Sequence, residues 1–200
     1  MPLNKILGAA AALTLAGLTL AALIVSARPG FVSPPFFYNT SLSLPRGLYR
    51  VEVRDSLATG DIIRTCTPAE GAALALKRGY LLPGSCPGGT ARIGKMVVGM
   101  AGDTVRVTKR GIIVRGIVLA RSVPLDRDTH GRIVRPALGK HVVTRGQCFV
   151  LSSHSLNSYD SRYYGPVDCA PPHYVLQATT RQAKKRLARM RRAVRIIAHE

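Results

Sequence analysis

Residues 91–116 read ARIGKMVVGMAGDTVRVTKRGIIVRG. Short runs rich in Val and Ile alternate here with Gly-containing breaks, around Gly99–Gly102 and again at Gly111. β-branched side chains suit the pleated surface of a sheet, and Gly supplies the backbone freedom that tight turns between strands need. The stretch therefore predicts successive short strands and sets a mostly β fold. One residue fits it badly. Lys95 interrupts an apolar strand, where its ammonium must either be desolvated or snorkel to water.

The same signal extends outward on both sides. Leu48-Tyr49-Arg50-Val51-Glu52-Val53 alternates apolar and polar residues, GDIIRTC (60–66) reads as a short strand after a Gly-Asp turn, and CFVLSS (148–153) as one more. Between them, TPAEGAALALKRGY (67–80) predicts a short helix. Thr67 is its expected N-cap, Pro68 its first helical residue, Glu70 the partner in a capping box and Gly79 the residue after its last turn. Internal repeats and heptads are absent from the sequence. Residues 48–180 thus read as one β-rich domain with a small helical insert.

The ends of the chain differ in character. Residues 6–27, ILGAAAALTLAGLTLAALIVSA, are 22 uncharged residues between Lys5 and Arg28. At about 1.5 Å per residue they span a hydrocarbon core of roughly 30 Å. Val25-Ser26-Ala27 also resembles a signal-peptide cleavage site, but the run exceeds the usual apolar region of about 7–15 residues. Residues 1–28 are therefore expected to be a short cytoplasmic arm and one transmembrane helix. Such an anchor in the inner membrane places the larger domain in the periplasm. Residues 29–47 follow as a Pro-rich juxtamembrane linker, with Phe36, Phe37 and Tyr38 suited to the bilayer interface.

The net charge is +19, and eight of the 29 Lys and Arg fall in residues 181–200. That segment reads as a basic helix or tail with Leu187, Met190, Val194 and Ile197 at helical spacing. Membrane-surface docking, nucleic-acid binding and simple solvation all fit it. An exported tail is a poor ligand for nucleic acid, so none is expected as a partner. Cys66, Cys86, Cys148 and Cys169 form no C-x-x-C pair, which argues against a zinc knuckle, and no metal or cofactor is expected. Four cysteines allow three connectivities. Pairing Cys66 with Cys86 and Cys148 with Cys169 closes loops worth about 3 kcal/mol each. Four buried thiols are the alternative.

Residues 39–52, NTSLSLPRGLYRVE, place Ser43 either in a turn or at the lip of a sheet as a nucleophile. The chain has no G-x-S-x-G elbow, and its five histidines follow no triad pattern. A serine hydroxyl still needs a base, and a desolvated lysine is one. Lys95 would serve if burial lowered its pKa by about 3 units from about 10.4. Residues 152–169, SSHSLNSYDSRYYGPVDC, carry Ser158, Asp160 and Arg162 two apart. In an extended segment these share one face, as a polar buttress or as a structural ion pair.

Taken in order, these boxes resemble the serine–lysine signal peptidases, and within them the TraF-type peptidases of conjugal plasmid transfer. The resemblance runs from the apolar N-terminus to about Gln177. SLPRGLY (43–49) is similar to the nucleophile box, GKMVVGMAGD (94–103) to the general-base box and SYDSRYYGP (158–166) to the box that supports the base. It implies Ser43 as nucleophile, Lys95 as base, Ser158 and Asp160 as its support beside Arg162, and Ser41 as an oxyanion-hole hydroxyl. It further implies a signal-peptidase-like catalytic domain acting on a pilin precursor, whose N-terminus can intercept the acyl-enzyme to give a cyclic product. Ser43-Leu44-Pro45 is one residue shorter than the housekeeping Ser-Met-x-Pro and the Gly-Asp-Asn opening is missing from SSHSLNSYDSR, two departures that suit the TraF-type branch, while Ala101 in place of a proline bears only on local turn geometry. A housekeeping signal peptidase and a non-catalytic scaffold of a secretion channel are the competing readings.

Overall fold

The computed structural model describes residues 35–195. The expected anchor at 6–27 lies outside them, as do residues 196–200; among the described residues no helix is long and apolar enough to cross a membrane. Among the described residues, eleven strands and three helices follow one another. They are β1 (Phe36–Asn39), β2 (Gly47–Arg54), β3 (Ile62–Thr65), α1 (Ala69–Lys77), β4 (Ile93–Gly99), β5 (Thr104–Thr108), β6 (Gly111–Val114) and β7 (Ile117–Val118). Then come β8 (Gly139–Val142), β9 (Gln147–Leu151), α2 (Ser161–Tyr164), β10 (Val167–Asp168), β11 (His173–Ala178) and α3 (Arg181–Arg195).

One sheet has seven strands in the order β1-β2-β11-β3-β4-β9-β10, and a second has four in the order β7-β6-β5-β8. All strand pairs are antiparallel. Strand β4 is buried along its whole length, which explains why its sequence runs apolar instead of alternating. Met96 and Val98 enter the main core with Val105, Val107, Ile112 and Val114 of the second sheet. Val97 enters a smaller cluster with Ile63, Val150, Val167 and Val175. The fold is the expected mostly β one with a small helical insert.

Three expectations need correction. Phe36–Asn39, read as linker, forms edge strand β1, pairing Phe36 with Arg50 and Asn39 with Gly47. Two prolines precede it, but an edge strand starts without losing a ladder bond, and Pro35 O accepts from Val51 N–H at 2.8 Å. Helix α1 is capped by Pro68 and not by Thr67, with no side-chain bond at its start. Pro68 stays extended at ψ 150°, so the helix begins one residue later and the capping box is not formed. Gly79 does follow its end, at φ +70°. Finally, α3 is a packed part of the domain: Ala183, Leu187 and Met190 are buried in the main core, and Arg191 Nε donates to Gly60 O at 3.0 Å.

The cysteines pair as Cys66–Cys86 and Cys148–Cys169, with Cα separations of 5.6 and 5.7 Å. The first ties the end of β3 to the loop after α1. The second ties β9 to the segment beyond β10.

Candidate active site

Ser43 sits in the loop joining β1 to β2, and the carbonyls of that loop are gripped one by one. Asn39, buried as the last residue of β1, donates from Nδ2 to Ser41 O and Leu44 O at 2.9 Å each. Tyr49 Oη donates to Pro45 O at 2.6 Å. Burial pushes that phenol up to about 12, so it stays protonated and remains a donor. Ser152 Oγ donates to the carbonyl of Ser43 itself at 2.6 Å. At the loop's exit, Gly47 at φ +135° turns the chain into β2 in a backbone region that a side chain would strain.

Packing then brings the loop onto β4. Leu44 is fully buried against Gly94, where a Cβ would lie 2.8 Å from Leu44 Cδ1 and 3.0 Å from Leu176 Cδ1. The missing side chain at position 94 lets Leu44 close on the strand, and the next residue along that strand is Lys95. Lys95 is 2% exposed. Its Nζ lies 2.6 Å from Ser43 Oγ and 2.5 Å from Ser158 Oγ, while the two hydroxyls are 3.1 Å apart. Burial pulls its pKa down to about 8, the Arg162 charge adds to the fall, and Asp160 opposes it. The snorkelling alternative is thereby excluded, because the side chain is buried and its amine is held by two hydroxyls inside the fold.

Beneath this triangle lies a second layer of polar residues. Asp160 and Arg162, both fully buried, pair through Nε–Oδ1 and Nη2–Oδ2 contacts of 2.8 Å. Arg162 Nη2 also donates to Ser158 O and Nη1 to Val123 O, at 3.0 Å each. Such a bidentate, fully bonded pair fixes orientation as well as charge. The segment is not extended as the spacing suggested: Asp160 is the N-cap of α2, and its Oδ1 accepts from Arg162 N–H at 3.3 Å. Asp160 makes no hydrogen bond to Lys95; it acts on the amine through space, and its other oxygen accepts from Ser152 N–H at 3.0 Å.

The structure thus brings together Ser43, Lys95, Ser158, Asp160 and Arg162. Ser41 is there too, but its hydroxyl faces inward, donating to Asn39 Oδ1 at 2.9 Å and accepting from Ser43 N–H at 3.3 Å. Asn39 and Ser152 were not singled out in the sequence. A cleft of about 480 Å³ opens over the group, with Ser43, Lys95 and Ser158 in its wall beside Phe37, Tyr159 and Tyr163. A serine oxygen beside a buried amine at the edge of a peptide-sized cleft can perform acyl transfer.

The signal peptidase family, peptidase S26, matches residues 10–171. The conjugal transfer protein TraF of Agrobacterium fabrum is 38% identical over 131 residues, covering 64% of this chain and 73% of its own. A probable conjugal transfer protein TraF of Sinorhizobium fredii is 37% identical over 164 residues, covering 79% and 82%. The plasmid transfer protein TraF of Escherichia coli is 32% identical over 164 residues, covering 81% and 85%. A signal peptidase I of known structure from Enterococcus faecalis is 20% identical and covers 58% of this chain and 92% of its own. Its TM-score of 0.33 is too low to bear on the fold.

Proposed function

Because the chain belongs to the signal peptidase family, peptidase S26, and is similar over most of its length to conjugal transfer proteins, we propose that it is a serine endopeptidase of plasmid transfer with Ser43 as nucleophile and Lys95 as general base. The observation that carries this reading is the 2.6 Å contact between Ser43 Oγ and a buried amine whose pKa is about 8. A lysine whose pKa is brought down to about 8 is neutral in a far larger share of molecules near physiological pH than an ordinary lysine, and the neutral form has a free lone pair for the serine proton.

In the first step, Lys95 Nζ takes the Ser43 proton while one of its N–H bonds stays on Ser158 Oγ. Ser43 Oγ bonds to the scissile carbonyl carbon, and negative charge develops on the carbonyl oxygen. Ser43 N–H is positioned to receive that charge once Ser41 turns its hydroxyl away from it and gives up Asn39; both groups then become free donors. The C–N bond breaks as Lys95 ammonium returns its proton to the leaving amine, giving an ester on Ser43. An incoming water or amine loses its proton to Lys95 and attacks the ester. Ser43 leaves with that proton restored. An amine nucleophile in this second half leads to a joined or cyclic product, and water leads to hydrolysis.

The substrate in this reading is a membrane-tethered pilin precursor. Support comes from the transfer functions named for the relatives and from the uncharged residues 6–27, which would tether the enzyme in the inner membrane with its domain in the periplasm. Ser43→Ala should stop maturation of the pilin precursor, which then accumulates on an immunoblot. Lys95→Arg should do the same, since a guanidinium keeps its proton at any accessible pH. Mature pilin at more than a tenth of the wild-type level in either variant would overturn the assignment.

A further inference from the structure

Four of the five side-chain contacts that hold the carbonyls of the nucleophile loop are local, a longer one from Asn39 Nδ2 to Pro45 O at 3.4 Å included. Asn39 and Tyr49 belong to the same β1–β2 hairpin that they tie, and that hairpin lies at the edge of the sheet. These bonds make the loop rigid within itself, while the packing of Leu44 on Gly94, which carries no direction of its own, sets it against the strand that bears Lys95. Ser152 is different. It is fully buried, directly after β9, the strand that pairs with β4 through Met96 and Val97. Its hydroxyl crosses a sequence distance of 109 residues to the carbonyl of Ser43. Its own N–H is held by Asp160 Oδ2, and Asp160 is locked in turn by Arg162. Ser155 N–H approaches the Ser152 oxygen at 3.3 Å, so the hydroxyl accepts there while its proton points at Ser43.

We propose that Ser152 is a positioning residue of the nucleophile, through which the buried Asp160–Arg162 pair fixes the backbone of Ser43 against the base. In the resting site both peptide groups of Ser43 are then constrained, the N–H by Ser41 and the C=O by Ser152, and the second hold persists when Ser41 turns away. Rotation about χ1 is the freedom left to the side chain, and it swings Oγ over a short arc beside Lys95 Nζ. This also gives the carboxylate of Asp160 a bonded route to the nucleophile, whereas it has no hydrogen bond to the base. The proposal rests on the reading of Ser43 as nucleophile.

Ser152→Ala and Ser152→Thr should be compared with wild type and Ser158→Ala as full-length chains in detergent, on a quenched-fluorescent leader peptide carrying alanine one and three residues before the cut bond. Loss of the Ser152 hydroxyl should lower kcat roughly 10- to 100-fold, the scale of a misplaced reacting group. KM should stay within about twofold, since no part of Ser152 is needed to bind the peptide. The midpoint of the pH–rate profile should stay where wild type has it, because Ser152 does not touch Lys95; Ser158→Ala, which removes a hydrogen bond from the amine, should move it. Ser152→Thr keeps the hydroxyl and should retain more activity than Ser152→Ala. The proposal falls if Ser152→Ala keeps half of wild-type kcat, if its pH midpoint moves with the loss, if threonine does no better than alanine, or if Ser152→Ala does not fold. A wild-type chain that cuts no peptide would instead remove the peptidase reading beneath it.

Discussion

Buried Lys95 destabilises the fold, apart from any role in chemistry. Its pKa falls from 10.5 to about 8 on burial. Between those two values the unfolded chain holds a proton that the folded chain has released, so this group's contribution to stability rises with pH across the window. Below pH 8 both states are protonated and the whole penalty stands. Lys95→Met should therefore be inactive yet melt a few degrees above wild type at pH 7, with the gap closing as pH approaches 10.5. The Ser43 and Ser158 hydroxyls, 3.1 Å apart, can bond to each other in that variant. Paired calorimetric scans over this range check it, and a gap that does not narrow would assign the penalty elsewhere. The wild-type rate should climb about tenfold per pH unit below the midpoint and level off above it. Lys95 was legible in the sequence because a lysine contradicts its apolar surroundings, and Ser43 because it heads a recognisable box. Asn39 and Ser152 were not. Asn and Ser are the ordinary residues of loops, and what sets these two apart is which distant atoms they bond, which no local pattern records.

At the scale of elements, strand β4 supplies both the proposed base and the docking surface for the loop of the proposed nucleophile, one position apart. Gly94→Ala tests that coupling. The added methyl meets a buried Leu44 at 2.8 Å, and Leu176 leaves it no room to step aside. The loop should be lifted from the strand by a fraction of an ångström, at a cost of about 1–3 kcal/mol in stability. The activity loss should be larger than the stability loss explains, because the reacting atoms separate. Turnover measured well below the melting transition separates the two effects, and normal turnover there would uncouple Leu44 packing from catalysis. The strands of residues 91–116 were readable because β-branched runs between glycines have one favoured outcome. The cysteine pairs found here were one of three connectivities open to the sequence, with buried thiols as the alternative, because spacing alone records no distances in space. Edge strand β1 was hidden by the prolines before it, and α2 by a two-residue spacing that a turn satisfies as well as a strand.

Across the whole molecule, the basic C-terminal segment changes its meaning once folded. Its apolar stripe was open to a membrane-surface reading, yet Leu187 and Met190 are buried in the protein's own core. Exposed Lys184, Lys185, Arg189 and Arg192 make the outer face of α3 cationic. Leu187→Lys should consequently cost about 2–5 kcal/mol of stability, while binding to anionic vesicles in co-sedimentation is no weaker than wild type. Loss of vesicle binding with unchanged stability would reverse that conclusion. The sequence could not show this, because an amphipathic helix presents the same stripe to a bilayer and to a core. The sheet order has a temporal consequence. Strand β11 lies between β2 and β3, with Leu176 opposite Val51 and Val175 opposite Ile63. The hairpin that carries Ser43 cannot join the rest of the sheet until the chain has been synthesised through residue 178. A nascent chain that ends before β11 therefore lacks the ladder that joins the piece bearing its serine to the piece bearing its lysine.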